Sequence, residues 1–251
     1  MAAAFLTQIC IALLVLFLII LIQGKHLFTH TALLTLFLAV YFADNTLIIL
    51  STRFTSLQLI PNHVWEGFLV YGWSGKLSSI LFAVALLLLC RRLMTREELG
   101  VVFRQNKGSL TPACFVILAL GTWAAVVGIV SPKGKPDIQT LLYLAIMLGL
   151  NEELVYRGYL LGTLNKIMPA RHSLLIAPFG WGVIITSLLF GLLHGFWIDE
   201  DSLIHIEAIA LRNAIFSGLI FGWLRERTGR LLMPVIAYGV EGVLFFLPRM
   251  L

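Results

Sequence analysis

The chain has 251 residues, of which 59% are hydrophobic and only 12% charged. Soluble globular domains carry about 25% charged residues, so the composition excludes an ordinary soluble domain and predicts an all-α, polytopic membrane helical bundle. The net charge of +5 matches the excess of Lys and Arg that cytoplasmic loops of membrane proteins carry. Because no nucleic-acid-binding motif accompanies that charge, we expect the lipid bilayer, and not nucleic acid, as a partner.

Apolar runs long enough to cross a membrane recur along the whole chain, since a crossing helix needs roughly 17–25 residues. The predicted spans, about eight transmembrane helices, are Ala4–Ile22, Thr31–Leu50, Phe68–Cys90, Pro112–Val130, Ile138–Leu164, Ser173–His194, Ile206–Leu224 and Leu231–Leu247. Pro178 and Gly180 predict a kink or a late helix start in the sixth span. We divide the chain into an N-terminal four-span region, residues 1–137, and a C-terminal core of four spans, residues 138–251.

The polar residues of the first four spans suggest structural roles. Asp44 and Asn45 lie inside the second span, and we interpret them as a hydrogen-bonded pair within the bundle. Lys76 lies early in the third span and is expected to extend its ammonium group to the membrane interface. The three cysteines occur singly and fit no zinc or redox spacing.

The loop charges predict an orientation and a location. Basic residues concentrate in the odd-numbered connections, above all in Arg91–Thr111 and Arg225–Arg230. The positive-inside bias places these connections in the cytoplasm and both termini outside it. The sequence therefore predicts an integral, multi-pass protein of the cell membrane.

The most informative stretch is Asn151–Arg157, which places charged residues inside an apolar span. An ionisable residue at bilayer depth costs about 2.5–3.5 kcal/mol on insertion scales, so each one needs a partner or a function. Glu153 and Arg157 are spaced i,i+4 with the acid first, the favourable order for an ion pair on a helix. Glu152 points about 100° away from Glu153 and can face another part of the bundle.

His194, at the end of the sixth span, is the second candidate. A carboxylate that takes a proton and an imidazole that holds a water or polarises a carbonyl are the two groups that water activation needs. Glu152 and His194 supply this pair. A proton relay in a transporter would use the same residue types, so these two residues alone leave hydrolase and transporter both open.

The two motifs together resemble a known family. Their residues are Glu152-Glu153-x-x-x-Arg157 and Phe190-x-x-x-His194. They are similar to the first two signatures of the CPBP (Abi, CAAX-protease and bacteriocin-processing) intramembrane endopeptidases, which include the type II prenyl-protein endopeptidases. The resemblance covers residues 141–247. It implies that Glu152 is the general base, that Glu153 and Arg157 hold each other, and that His194 binds the water or the oxyanion. It also implies a membrane-anchored or lipidated protein or peptide as the substrate.

The last span departs from the family pattern. A third motif, His-x-x-x-Asn or His-x-x-x-Asp, is expected there, but Tyr238 stands in place of the histidine and Gly242 in place of the asparagine. Oxyanion-stabilising donors of this kind contribute about 10²–10³-fold in rate each. Tyr238 still offers one O–H donor, and Glu241 lies on the same helix face. A family member that binds a partner without cleaving it, as a membrane scaffold or immunity-type protein, is therefore the alternative to a working protease.

Further polar residues of the C-terminal core complete the predicted site. Arg212 and Asn213, in the seventh span, are interpreted as contacts to the acidic motif or to the C-terminus of a substrate. His205, with Glu207 and the Asp199–Asp201 loop, would suit a cation, but we interpret it as a solvated loop.

The sequence predicts no certain cofactor and leaves a divalent metal as an alternative. Glu152 and His194 are the expected ligands of such a metal, and two are fewer than the three that a catalytic zinc takes from a protein. The sequence shows no paired inverted repeats and no pair of broken helices in corresponding halves, which argues against a transporter.

Overall fold

The computed structural model describes residues 2–65, 69–130, 134–170 and 172–250. Its helices are α1 (Ala2–Gln23), α2 (Thr31–Arg53), α3 (Trp73–Leu89), α4 (Arg96–Leu99), α5 (Leu110–Val130), α6 (Ile138–Ile167), α7 (Trp181–Gly195), α8 (Ala208–Thr228) and α9 (Leu232–Phe246). Short 3₁₀ turns occupy Gly24–His30, Thr55–Leu57 and Leu247–Arg249. The described strands have three residues each and pair as two-stranded antiparallel hairpins. These are β1 (His63–Trp65) with β2 (Leu69–Tyr71), β3 (His172–Leu174) with β4 (Ala177–Phe179), and β5 (Phe196–Ile198) with β6 (Ile204–Ile206).

The architecture is a helical membrane bundle, as predicted. Helices α1, α2, α5 and α6 are long and apolar enough to cross a membrane, while α3, α7 and α9 are shorter apolar helices of 17, 15 and 15 residues. Large apolar side chains face outward from the long helices; Leu21 is 64% exposed and Phe115 is 75% exposed. An outward apolar surface on helices of this length is what a bilayer requires, so the protein is an integral membrane protein.

Three predicted span boundaries are corrected by the structure. The third helix begins at Trp73, after the β1–β2 hairpin, and the predicted start at Phe68 lies outside the described residues. The sixth predicted span starts with the β3–β4 hairpin, so the helix has the late start that Pro178 and Gly180 allowed. The predicted basic turn after the seventh span was wrong, because α8 continues to Thr228 before Gly229 adopts a left-handed φ of 75° and ends it.

The extension of α8 has a physical cause in Arg225. Its guanidinium donates hydrogen bonds to the carbonyl oxygens of Glu97 (3.2 Å) and Glu98 (2.9 Å) in α4. A cation in the last turn of a helix also interacts favourably with the helix dipole. Arg225 is therefore buried between two helices and does not lie in a solvated turn.

Helix α6 is irregular at its centre, where the acidic motif lies. Two π-helical segments, Tyr143–Leu148 and Leu154–Leu160, flank the α-helical turn Gly149–Glu153. π-Helical turns are rare and occur frequently at functional sites, because the extra residue per turn changes the direction of the side chains that follow. The irregularity thus sets which way the side chains of the motif point.

Glycines let the helices of the C-terminal core approach closely. A Cβ on Gly239 in α9 would lie 2.5 Å from the carbonyl oxygen of Ala145 in α6. Between α7 and α8, a Cβ on Gly195 would lie 2.5 Å from the backbone nitrogen of Leu211. Both contacts involve backbone that cannot rotate away, so these helix pairs need glycine. As a result, α9 packs closely against α6, and α7 packs closely against α8.

Candidate active site

Glu152 lies on the central turn of α6 and is 4% exposed. Its Oε1 forms an ion pair with Lys76 Nζ at 2.9 Å. Its Oε2 accepts a hydrogen bond from the Tyr238 hydroxyl at 2.8 Å and lies 3.8 Å from His194 Nε2. The two carboxylate oxygens therefore face different sides, one toward α3 and the other toward α7 and α9.

The position of Lys76 contradicts the sequence prediction. We expected its ammonium group at the membrane interface, but the residue is 7% exposed and contacts Glu152 inside the bundle. The reason is the buried carboxylate: an ion pair satisfies two charges that would each be expensive at this depth. The partner lies 76 positions away in sequence, so the sequence offers no spacing that pairs them.

Glu153 and Arg157 form the predicted i,i+4 ion pair, with Arg157 Nη1 2.8 Å from Glu153 Oε1 and both side chains 0% exposed. Arg157 Nη2 also donates to the Gly218 carbonyl oxygen of α8 at 3.3 Å. The guanidinium carbon lies 4.5 Å from the centroid of the Phe190 ring, within cation–π range. Arg157 thus joins α6 to α7 and α8. Its contact on α7 is Phe190, which lies one turn before His194.

His194 is held by the helix that carries it. Its Nδ1 lies 2.8 Å from the carbonyl oxygen of Phe190, one turn earlier, and the two rings pack with centroids 4.4 Å apart. Since a carbonyl oxygen can only accept, Nδ1 carries the hydrogen, and Nε2 of the neutral ring is an acceptor. That acceptor nitrogen points toward Glu152, and the side chain remains one-third exposed.

The residues at the third-motif positions lie beside the first two motifs. Tyr238 contacts Glu152 through its hydroxyl and stacks on Phe221 with ring centroids 5.3 Å apart. Glu241 accepts a hydrogen bond of 2.7 Å from the Ser217 hydroxyl of α8. Gly242 packs against α6, where a Cβ at this position would lie 3.3 Å from the Leu144 Cβ. Tyr238 therefore supplies a donor at the site, while Glu241 connects α9 to α8.

A cavity of about 560 Å³ opens beside these residues. Its polar lining comes from His194, Tyr238, Glu241, Ser217, Arg212 and Asn213, and most of its remaining wall is apolar. Glu152 lies directly behind two of the lining residues, His194 and Tyr238, with which it is in contact. The cavity thus reaches two partners of the Glu152 carboxylate, while Glu152 itself does not line it.

Arg212 does not make the contact with the acidic motif that the sequence suggested. Its guanidinium donates to the Oδ1 of the adjacent Asn213 at 3.1 and 3.3 Å, and both residues are exposed at the cavity wall. Arg157 of the motif and Lys76 of α3 already form ion pairs with the two glutamates. The remaining interpretation of Arg212 and Asn213, as contacts to a substrate C-terminus, stays a prediction.

A buried polar network joins α2 and α3 to α6. Asp44 accepts hydrogen bonds from Ser79 and, at 3.2 Å, from Asn151 Nδ2, which also donates to Ser79 Oγ at 2.9 Å. Asn45 donates to the Tyr41 carbonyl oxygen at 2.8 Å. Asp44 and Asn45 are thus hydrogen-bonded within the bundle, as interpreted, although with these partners and not with each other.

Sequence reasoning missed Lys76 and Ser79 as parts of the site. The one available signal was their spacing of three residues in α3, which places both on the same helix face. The Asp44 network ends at Asn151, and the ion pair of Lys76 ends at Glu152, so this face of α3 contacts two successive residues of the motif.

The loop after α7 has its own polar contacts. His205 Nε2 lies 2.6 Å from Asp199 Oδ2, and its ring stacks on Trp197 with centroids 5.3 Å apart. The hydrogen bond from His205 lowers the pKa of the Asp199 carboxyl. These contacts close the β5–β6 hairpin.

The donor set at Glu152 does not fit a catalytic metal. Across residues 2–65, 69–130, 134–170 and 172–250, the structure contains no group of three or more His, Cys, Asp or Glu side chains that could hold an ion. Glu152 and His194 supply two donors, and the Lys76 ammonium already occupies one carboxylate oxygen. A catalytic zinc takes three protein ligands.

Comparison with known proteins gives one match. Residues 135–243 match the model of a family described as type II CAAX prenyl endopeptidase Rce1-like. The matched range contains Glu152, Glu153, Arg157, His194 and Tyr238 but not Lys76. The comparisons with curated proteins and with solved structures gave no match.

Proposed function

We propose that this chain is an intramembrane endopeptidase of the CPBP/CAAX protease family, whose Rce1-like model matches residues 135–243. The observation that carries the proposal is the convergence of three residues beside the cavity. The Glu152 carboxylate lies 3.8 Å from His194 Nε2 and 2.8 Å from the Tyr238 hydroxyl. These three groups can activate water and stabilise the intermediate of peptide hydrolysis.

The water-binding step follows from the two acceptors. A gap of 3.8 Å between Glu152 Oε2 and His194 Nε2 is too long for a direct hydrogen bond and suits a bridging water. Both atoms accept, so each would take one hydrogen of that water, and the lone pairs of its oxygen would point into the cavity. Holding the nucleophile in one orientation in this way reduces the entropic barrier of the attack.

The chemical step then uses Glu152 as general base. The water oxygen attacks the carbonyl carbon of the scissile peptide bond, and its proton passes to Glu152 Oε2. In the tetrahedral intermediate, the former carbonyl oxygen carries the negative charge. Glu152 returns the proton to the amide nitrogen, the C–N bond breaks, and the products are a carboxylic acid and an amine, which exchange a proton to become a carboxylate and an ammonium group.

Tyr238 is the donor available for the oxyanion. In the resting site its O–H binds Glu152. Once Glu152 has taken the proton of the water, its carboxyl no longer holds the hydroxyl through a charge-assisted bond, which is the stronger kind. The O–H can then turn toward the oxyanion, a contact of the type that contributes about 10²–10³-fold in rate.

The substrate proposed is a membrane-anchored or lipidated protein or peptide. The cavity is mostly apolar and lies among helices of a membrane bundle, so a soluble polypeptide would have to leave water to enter it. Arg212 and Asn213 at the wall offer donors for a terminal carboxylate. We place the protein as a multi-pass component of the cell membrane.

The test is cleavage of a library of membrane-anchored C-terminal tails, co-expressed with the wild type or a variant. We expect Glu152→Gln and His194→Ala to abolish cleavage and Tyr238→Phe to reduce it by about 10²-fold. Glu241→Gln is the matched control, since it removes another carboxylate at the cavity and should lower the cleavage rate far less than Glu152→Gln. Unchanged cleavage by a folded Glu152→Gln variant would overturn the mechanism.

A second function is favoured by Tyr238 and Gly242, which replace the third-motif residues of the family. With these replacements, the protein would bind a membrane segment without cleaving it, as a scaffold or immunity-type protein. A wild type inert against every tail, combined with cleavage by Tyr238→His, would establish this second function in place of the first.

A further inference from the structure

The cation that contacts Glu152 comes from outside the family-matched range. Residues 135–243 match the family model, whereas Lys76 lies in the second turn of α3, which begins at Trp73. Lys76 Nζ and Glu152 Oε1 are 2.9 Å apart, and both side chains are more than nine-tenths buried. The site therefore has a component that the family motifs do not include.

The backbone of α3 is fixed at this point by its contact with α2. A Cβ on Gly75 would lie 2.9 Å from the Ile48 Cα, so the two helices touch next to Lys76. One turn later, Ser79 binds Asp44 of α2 and Asn151 of α6. Contacts on both sides of Lys76 thus hold the base of its side chain, and a held side chain positions its partner better than a mobile one.

The ion pair also fixes the rotation of the Glu152 carboxylate, so that one oxygen faces Lys76 and the other faces Tyr238 and His194. Because Lys76 binds Oε1, the carboxylate group is fixed about its last side-chain torsion. Oε2 is then the oxygen that meets the Tyr238 hydroxyl and approaches His194. Without the ammonium group, the carboxylate could rotate about this torsion, and neither oxygen would be held in place to bind a water together with His194.

We propose that Lys76 is a positioning residue of the peptidase reaction, which orients the Glu152 carboxylate by binding its Oε1. The proposal rests on the endopeptidase function proposed above. It assigns the N-terminal four-span region a direct part in the active site, since α3 supplies the ammonium group.

The experiment measures kcat and KM separately with the purified full-length protein in proteoliposomes, using a tail that the wild type cleaves. Lys76→Met removes the charge, Lys76→Arg keeps it, and Lys166→Met, which removes a lysine ion-paired with Glu98 at 3.0 Å, is the matched control away from the site. Thermal unfolding of each variant shows that it is folded.

We expect Lys76→Met to lower kcat by about 10²-fold, the effect of misplacing a reacting group by about 1 Å, with KM close to the wild-type value. Lys76→Arg should recover much of the loss, and Lys166→Met should keep the wild-type kcat. A folded Lys76→Met variant with wild-type kcat, or equal rates for the Met and Arg variants, would overturn the proposal.

A second measurement separates this proposal from the proposed function. Dicyclohexylcarbodiimide, an apolar reagent that modifies carboxyl groups within membranes, is applied to the same variants, and labelling of Glu152 is read by mass spectrometry. Lys76→Met should increase the labelling of Glu152 severalfold, whether or not the protein is a protease. An inert wild type with this increase refutes the protease but keeps the ion pair, whereas unchanged labelling refutes the role of Lys76 itself.

Discussion

The ion pair between Glu153 and Arg157 allows a quantitative test of how the site is held together. Both side chains are fully buried, and the charged atoms are 2.8 Å apart. Removing one partner of a buried pair leaves an uncompensated charge and costs about 3–5 kcal/mol. For a chain of this length, 1 kcal/mol corresponds to roughly 2–4 °C in melting temperature. We therefore expect Arg157→Met to lower the melting temperature by about 6–20 °C.

The double variant Glu153→Met/Arg157→Met distinguishes a charge effect from a packing effect. It removes both charges together and leaves as its main loss the contacts of Arg157 with the Gly218 carbonyl and the Phe190 ring. A lost hydrogen bond to a buried group costs about 1–3 kcal/mol. The double variant should therefore be more stable than Arg157→Met alone.

The assay is thermal unfolding in nanodiscs, followed by circular dichroism. Arg212→Met, an exposed arginine in the same membrane region, serves as the control and should shift stability by no more than about 0.5 kcal/mol. If Arg157→Met costs less than about 1 kcal/mol, as an exposed pair would, or if the double variant is as unstable as the two single losses added together, the reasoning fails.

Three further predictions concern the helix start, the helix contacts and the metal. Partial burial opposes ionisation of Asp137, but the hydrogen bond from the Thr140 N–H and the contact with His63 outweigh it and lower the pKa of Asp137. The charged Asp137 therefore stabilises the fold above its unfolded pKa of about 3.9, and this contribution is lost as the pH falls through the lower folded pKa. In thermal unfolding below about pH 4, the melting temperature of Asp137→Asn should depend less on pH than that of the wild type. In Gly239→Ala, the new Cβ would lie 2.5 Å from a backbone oxygen of α6, whereas in Gly242→Ala it would lie 3.3 Å from a side chain. Gly239→Ala should therefore reduce the melting temperature and the cleavage rate more than Gly242→Ala. Equal effects would contradict the packing argument. Treatment with a chelator should leave the cleavage rate unchanged, because the site offers two donors where a catalytic zinc takes three, and restoration of a lost rate by added zinc would refute this.

The fold was predictable because a bilayer constrains a chain strongly. Apolar length identified the apolar helices, since backbone polar groups in a membrane must be satisfied within helices, but it missed the short, charged helix α4. The errors fall at helix ends, where hydropathy carries little information. The seventh predicted span stopped at Leu224 because the next residues are charged, yet α8 continues to Thr228 since Arg225 binds carbonyl oxygens of α4.

The site was predictable to the extent that its contacts are local. Glu153 and Arg157 are four residues apart, and helix geometry pairs them directly. The approach of Glu152 to His194 needed the family resemblance, because the two motifs lie on different helices. Lys76 could not be paired with Glu152 by any local rule, since a contact over 76 positions depends on how α3 docks against α6.

The two ion pairs therefore make different demands on folding. The pair of Arg157 with Glu153 lies within one helix and can form as soon as α6 does. The pair of Lys76 with Glu152 requires α3, α2 and α6 to be assembled, because the Ser79–Asp44–Asn151 network sits one turn from it. Until that assembly, Glu152 would be an uncompensated charge in the membrane, which costs about 2.5–3.5 kcal/mol of insertion free energy. The acidic residue proposed as the base is thus stable as a carboxylate only when the N-terminal region is docked, so formation of the site depends on completion of the bundle.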